Sequence, residues 1–370
     1  MHTITAYTSH TEVPAAVAEL QDQLKLVSQP KCVLYFASAS YPSEKIAAAM
    51  EEAFSGATVF GCSTAGEIVS GKMLKHSIVA MALDQSIIGD IVIQAVSPIE
   101  EQIDVSSVFS VFEKHYHISM RDADPTQYVG IILFDGLSFA EERWMDKIGN
   151  ATDVVFIGGS AGDDLKFSRT YVYAHGRAYT NTVLLALLKP NCKFDIIKTQ
   201  SFQTLPQQLI ATKVEEAHRA VIEFNNKPAI TAYAEALGKS IDTVAESFMS
   251  NPLGLMVGGE PYVRSPQRIS DGKMIFYCTI KEGMDLQVLQ SSDMIRDTRE
   301  AILEKKNEFG ELQALINFHC ILRTLDLESH GLTEEYGHIF DHIPTIGFST
   351  YGEEYIGHMN QTATMLAFAA

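Results

Sequence analysis

Apolar positions along this chain follow two rhythms. Val13, Val17, Leu20, Leu24 and Val27 recur every three or four residues, which predicts an amphipathic helix over 12–27. Residues 31–37 form a short continuous apolar run and read as a buried strand. Ser43 opens a helix with Ile46, Met50 and Phe54 on one face, and 57–62 is the next strand. Strands at 78–83 and 90–96, a helix over 104–117 and a strand at 128–134 follow. Ser138-Phe139-Ala140-Glu141 reads as a capping box for a helix that carries the only tryptophan, Trp144, and ends at Gly149-Asn150. A strand at 154–157 then runs into a glycine-rich loop. A hairpin follows, with 170–174 and 178–188 joined by a His175-Gly176 turn.

Lys189-Pro190-Asn191 marks the expected boundary between a domain of residues 1–190 and one of residues 191–370. Beyond it come strands at 194–202 and 221–224, a helix from Pro228 to Gly238 and another starting at Ser240. Strands at 273–280 and 284–289 meet at Glu282-Gly283. A helix over 295–304, an apolar run at 315–320, a helix over 333–343 and a strand at 362–368 complete the chain. Strands and helices mix throughout. The fold class is therefore α/β (α+β), each half a mixed β-sheet covered by helices.

One pattern occurs twice. Gly61-Cys62-Ser63-Thr64-Ala65-Gly66-Glu67 and Gly347-Phe348-Ser349-Thr350-Tyr351-Gly352-Glu353 are both G-x-S-T-x-G-E, and each follows an apolar run. A repeated strand-to-loop signature implies two related halves. Glycines allow close backbone approach, and Ser, Thr and Glu offer hydrogen bonds, so these loops suit a binding pocket or a joint between domains.

The chain has 370 residues, 46% hydrophobic and 20% charged, as in ordinary globular proteins. Its formal net charge of −18 disfavours nucleic acid as a partner. Five scattered cysteines without a CxxC pair suggest reduced thiols in the cytoplasm. No apolar run approaches the length of a membrane span, and residues 1–10 lack the pattern of a signal peptide.

Gly158-Gly159-Ser160-Ala161-Gly162 matches the nucleophile elbow of serine hydrolases, but Asp163-Asp164 and a polar loop follow where that elbow needs a helix. There is no P-loop and no G-x-G-x-x-G. His338 and His342 are four apart on an expected helix, a chelating spacing, yet fall beside its apolar face. His175 suits a hairpin tip, His319 lies in an apolar run as a core histidine would, and His358 precedes a polar Asn360-Gln361-Thr362 segment.

Taken together, the two heptapeptides, the Gly158–Asp163 loop and Asn360-Gln361-Thr362 resemble the FIST family, as do Pro252-Leu253-Gly254, Tyr262-Val263-Arg264 and Cys320-Ile321-Leu322-Arg323. The resemblance spans about residues 30–368 and implies a FIST N-terminal and a FIST C-terminal domain. It implies a sensory protein with no catalytic activity. Stand-alone bacterial members of this length are similar to nitric-oxide-sensing haem proteins (NosP). That similarity implies non-covalent haem b on a histidine, with His175, His358 and His319 as candidates. It also implies nitric oxide as ligand, and a histidine kinase or a diguanylate cyclase or phosphodiesterase as partner; a homodimer is allowed. The alternative is a sensor of another small ligand such as an amino acid. Gly66, Glu67, Ser349, Thr350, Glu353 and Arg264 would then supply the ammonium and carboxylate contacts. The ligand-binding set that the resemblance implies is Gly61, Ser63, Thr64, Gly66, Glu67, Ser160, Arg264, Arg323, Ser349, Thr350, Tyr351, Glu353, Asn360 and Gln361. A serine hydrolase using Ser160 is the remote alternative.

Overall fold

A computed structural model describes residues 2–97, 99 and 103–369. The chain forms two compact units. The first comprises Met1–Thr199, Thr298–His358 and Ala363–Ala370, and the second Gln200–Asp297 with Met359–Thr362.

The first unit uses one motif three times. A strand leads through a helix to a second strand. A helical segment then connects to a third strand parallel to the second, a short hairpin follows, and a last strand returns antiparallel. In the first repeat these are β1 (Thr3–Thr8), α1 (Val13–Leu24), β2 (Cys32–Ser38), α2 (Ser43–Ala53), β3 (Thr58–Thr64), the hairpin β4 (Glu67–Val69) and β5 (Lys72–Leu74), and β6 (Ile78–Leu83). The second has β7 (Ile88–Val96), α3 (Val105–Tyr116), β8 (Val129–Phe134), α4 (Glu141–Gly149), β9 (Phe156–Ser160), β10 (Val172–Ala174) and β11 (Arg177–Tyr179), and β12 (Val183–Pro190).

The third repeat opens on β13 (Phe194–Gln200), and the second unit is then inserted. Its elements are β14 (Phe202–Glu215), β15 (Ala220–Phe224), β16 (Lys227–Pro228), α5 (Ala229–Leu237), β17 (Leu253–Val257), β18 (Glu260–Arg264), β19 (Pro266–Ser270), β20 (Lys273–Phe276) and β21 (Asp285–Ser291). They pair in the order β18-β17-β21-β14-β15-β20-β19, with β16 on β15, over a core that includes Val221, Phe224, Tyr233, Phe248 and Val288. The third repeat resumes with α6 (Met294–Phe309), β22 (Leu312–Cys320), α7 (Ile321–His330), α8 (Thr333–His338), β23 (Thr345–Thr350), β24 (Glu353–Tyr355), β25 (His358–Met359) and β26 (Thr362–Ala369).

The hairpins are exchanged in a ring. Sheet β1-β6-β2-β3 is extended by β10-β11 of the second repeat. Sheet β7-β12-β8-β9 is extended by β24-β25 of the third, and sheet β13-β26-β22-β23 by β4-β5 of the first. Thus Tyr173 pairs with Gly61, Glu354 with Gly158, and Ile68 with Gly347. Each borrowed strand covers an edge that would otherwise expose unpaired backbone groups. The two halves read from the repeated heptapeptide are therefore three repeats. Lys189 and Pro190 are the last residues of β12, and the turn from Asn191 leads from the second repeat into β13 of the third.

The inner faces of the three sheets share one apolar core, including Leu34, Phe36, Ile131, Leu133, Ile316 and Phe318. The outer face of the first sheet packs Val33, Tyr35 and Ala37 under α1 and α2, and that of the second packs Ile132 and Phe134 under α3 and α4. Register equates the third. Tyr35 and Ala37 lie opposite Gly61 and Ser63, Ile132 and Phe134 opposite Gly158 and Ser160, and Asn317 and His319 opposite Gly347 and Ser349. Where two repeats bury apolar groups, the third buries an amide and an imidazole.

Several local expectations are corrected. Ala140, not Ser138, sits at the N-cap of α4 and makes no side-chain cap bond, while Glu141 turns to Ser160. The 178–188 strand is two strands in different sheets, β11 and β12. A single 3-10 turn at Val244–Ser247 replaces the helix after Ser240. The 333–343 helix is regular only over Thr333–His338. The strand read at 273–280 ends at Phe276; β20 pairs with β15 and β19, and β21 with β14 and β17.

Candidate functional site: a buried polar cluster in the third repeat

The heptapeptide loops owe their form to a close approach at the first glycine. A Cβ at Gly61 would lie 1.7 Å from the Tyr35 carbonyl oxygen. At Gly158 it would lie 1.7 Å from that of Ile132, and at Gly347 2.2 Å from that of Asn317. This aligns Ser63, Ser160 and Ser349, so the Gly158 loop is a third, degenerate copy. The copies interlock through their backbones: Gly162 N donates to Ser63 O, Tyr351 N to Ser160 O and Ser349 N to Gly66 O.

Most side chains proposed as ligand contacts are committed to this joint. Ser63 Oγ donates to Gly162 O at 2.8 Å and accepts from Tyr171 N. Thr64 Oγ1 donates to Glu67, and Thr350 Oγ1 donates to Glu353 at 2.7 Å in the same i to i+3 arrangement. Ser77 N and Oγ complete the shell of Glu67. Ser160 is fully buried, and its Oγ donates to Glu141 at 3.0 Å. Its partner is a carboxylate rather than an imidazole, so the hydrolase arrangement is absent at this serine.

Tyr351 and Asp163 fasten the loop after the degenerate copy. Tyr351 Oη donates to Asp163 Oδ1 at 2.5 Å and accepts from Leu165 N, while the amides of Phe167, Ser168 and Arg169 donate to the same carboxylate. Burial opposes ionisation of Asp163, but the Tyr351 hydroxyl and these amides win and hold it below the usual carboxylate range. Phe167 stacks on Tyr351 at 4.9 Å. Asp163→Ala is expected to cost about 2 kcal/mol and to speed amide exchange at residues 164–169; unchanged exchange there would show that the carboxylate does not hold the loop.

The histidines separate clearly. His175 is exposed with φ 51°, a turn residue. His338 and His342 are exposed, and His338 Nδ1 lies 3.1 Å from Asp341. His358 is buried, with Nδ1 2.9 Å from Glu354 Oε1. Arg264, Asn360 and Gln361 belong to the second unit. There Gln361 Oε1 accepts from Ser265 Oγ at 2.7 Å, Gln361 Nε2 donates to Met249 O, and Asn360 Nδ2 donates to Met359 O.

His319 and Arg323 come together with three residues that the sequence reading did not single out. His319 and Asn317 project from the outer face of β22, Arg323 from α7, Tyr336 from α8 and Thr298 from α6. None is more than 1% exposed. Arg323 Nη2 donates to Thr298 Oγ1 at 3.1 Å, and Asn317 Nδ2 to Tyr336 Oη at 3.4 Å. The His319 ring lies 4.6 Å from that of Tyr336. Both His319 ring nitrogens, Arg323 Nε and Nη1, and Asn317 Oδ1 have no hydrogen-bond partner among the described residues. Burial, then the Arg323 charge, pushes the His319 pKa well below its ordinary value, so the imidazole is neutral. Next to this cluster, Ser349 Oγ shares a hydrogen bond with Thr324 at 2.7 Å. His319 is thus a core histidine, but not a satisfied one. The alternation Asn317-Phe318-His319 inside a buried strand was the signal available in the sequence.

The family model of the FIST N domain matches residues 31–227, and that of the FIST C domain matches residues 229–355. The chain belongs to the FIST family, whose paired domains mark a small-ligand sensor in signal transduction. It is also similar to an uncharacterised protein of Methanocaldococcus jannaschii, 22% identical over 281 residues, which cover 70% of this chain and 54% of that protein. The chain therefore spans about half the length of this curated relative. Among the described residues no helix is long and apolar enough to cross a membrane.

Proposed function

We propose that the protein is a cytoplasmic, non-catalytic sensor that takes a small ligand into the polar cluster of the third repeat and reports to a histidine kinase or a cyclic-di-GMP enzyme. One observation carries this reading: Arg323 is 1% exposed and has no carboxylate partner among the described residues. A buried guanidinium without a counter-charge costs several kcal/mol, and a bound anion would remove that cost. The cluster is closed, so a ligand enters only if the α7–α8 layer opens. A ligand that favours one of two such arrangements is what a sensor requires.

The haem and nitric-oxide reading has His175, His358 and His319 as candidate ligands; of these His319 has both ring nitrogens unmet, and haem iron takes a neutral imidazole. The surroundings do not suit the macrocycle. Tyr336 lies tilted against the ring, 4.6 Å between centroids, and Asn317, Arg323 and Thr298 make the walls polar. The amino-acid reading that used Glu67 and Glu353 loses support, since both carboxylates accept bonds within the interlocked loops.

Haemin reconstitution, followed by absorption spectroscopy of the oxidised, reduced and nitric-oxide-treated protein, separates the readings. A broad free-haemin spectrum is expected. A sharp Soret band lost in one of His319→Ala, His358→Ala or His175→Ala would replace the proposal with the haem sensor.

A further inference from the structure

We infer that the ligand is a small carboxylate of net charge −1 with a neutral hydrogen-bond donor on the adjacent carbon, the chemistry of a short 2-hydroxy acid. This rests on the third-repeat cluster being the ligand site.

The unmet groups define their complement. Arg323 leaves two guanidinium nitrogens without acceptors, and guanidinium is the side chain best matched to a carboxylate. His319, as a neutral imidazole, offers one N–H and one bare nitrogen, both unmet. Asn317 places one of its two amide N–H groups on Tyr336 and keeps its carbonyl oxygen unmet, so it offers an acceptor to a ligand. The ligand must therefore present acceptor oxygens towards Arg323 and a donor towards Asn317. Acetate and chloride lack the donor.

Charge narrows the class further. Arg323 is the cluster's only formal charge, and no Asp or Glu bonds to any of its five residues among the described residues. An amino acid's ammonium would enter without a counter-charge, and a phosphate dianion would exceed the single positive charge. A hydroxyl donor adds no charge.

The full-length protein should be titrated calorimetrically with glycolate, L-lactate, acetate, L-alanine and chloride, with thermal unfolding in parallel. At least one hydroxy acid is expected to bind tenfold or more tighter than acetate, alanine or chloride. Arg323→Met should abolish all binding. Asn317→Leu should remove the advantage of the hydroxy acid over acetate, and Asn317→Ser provides a second variant should Leu disturb folding. Tightest binding by alanine, lost in Arg323→Met, would overturn the ligand class and leave the site standing. Equal binding of all anions would reduce the cluster to a plain anion site and overturn the role of Asn317. If no probe binds, or if binding survives Arg323→Met, the ligand-site reading itself falls.

Discussion

Arg323→Met is expected to make the ligand-free protein more stable than the wild type, by about 1–4 kcal/mol, with a rise of several degrees in the thermal midpoint. Met keeps most of the apolar stem that Arg323 packs in the interior and removes the charge. The loss is the hydrogen bond to Thr298 Oγ1, worth about 1 kcal/mol, together with the polar contact to the Tyr336 hydroxyl. The gain is relief from desolvating a guanidinium that no carboxylate meets among the described residues. An arginine retained only for stability behaves in the opposite way, because its removal breaks a network that held helices together. Chemical denaturation of the two proteins decides the sign. A destabilisation of about 3 kcal/mol in Arg323→Met would make Arg323 a structural tie between α6 and α7 and remove the main support for a ligand there. Thr298→Val is the companion variant: it removes the hydroxyl that Arg323 uses and is expected to destabilise the wild type but not the Met variant.

The periodic elements were legible because burial sets their pattern. The helix read over 12–27 is α1 (Val13–Leu24), and the strand read at 78–83 is β6 in full. The exchanged hairpins were not legible. β4, β5, β10, β11 and β24 are three residues each, too short to show a period, and β4, β10 and β24 pair with strands of other repeats. The third heptapeptide was hidden for a chemical reason. What the loop must keep is a glycine where backbone meets backbone and a serine two residues later. Gly158 and Ser160 satisfy both, while the Thr and Glu of the other copies are replaced.

The site was legible in part. Ser349 was named from the repeated heptapeptide and His319 from its apolar run, but Arg323 only through the family resemblance, and α7 was not read as a helix. Its inward positions include Arg323 and Thr324, both buried, so the apolar stripe that announces a helix is interrupted where the chemistry lies. Asn317 breaks the apolar run of β22 in the same way. Two repeats with ordinary apolar outer faces supply the control that a single sequence motif cannot. Against Tyr35 and Ala37, or Ile132 and Phe134, the pair Asn317 and His319 stands out as a departure from packing. Local rules fail most informatively at such places.

The pH dependence of stability should carry the mark of Glu67. This carboxylate is 1% exposed and accepts bonds from Thr64 Oγ1, Ser77 N and Ser77 Oγ. Burial dominates these donors and raises its pKa from 4.5 to about 7. The folded protein therefore holds the proton more tightly than the unfolded chain does. The associated stability is complete below pH 4.5 and is lost as pH rises through 7. Its size is about 3 kcal/mol. Glu67 opens β4, the strand that the first repeat lends to the third, and lies opposite Phe348. Ionisation thus loosens the exchange that ties these repeats together. Urea unfolding at pH 5, 6, 7 and 8 should show the wild type losing about 3 kcal/mol relative to Glu67→Gln over that range, because the amide cannot ionise. Parallel profiles for the two proteins would mean that Thr64 and Ser77 keep Glu67 ionised throughout, and the joint would then be held by a charged carboxylate rather than by a shared proton.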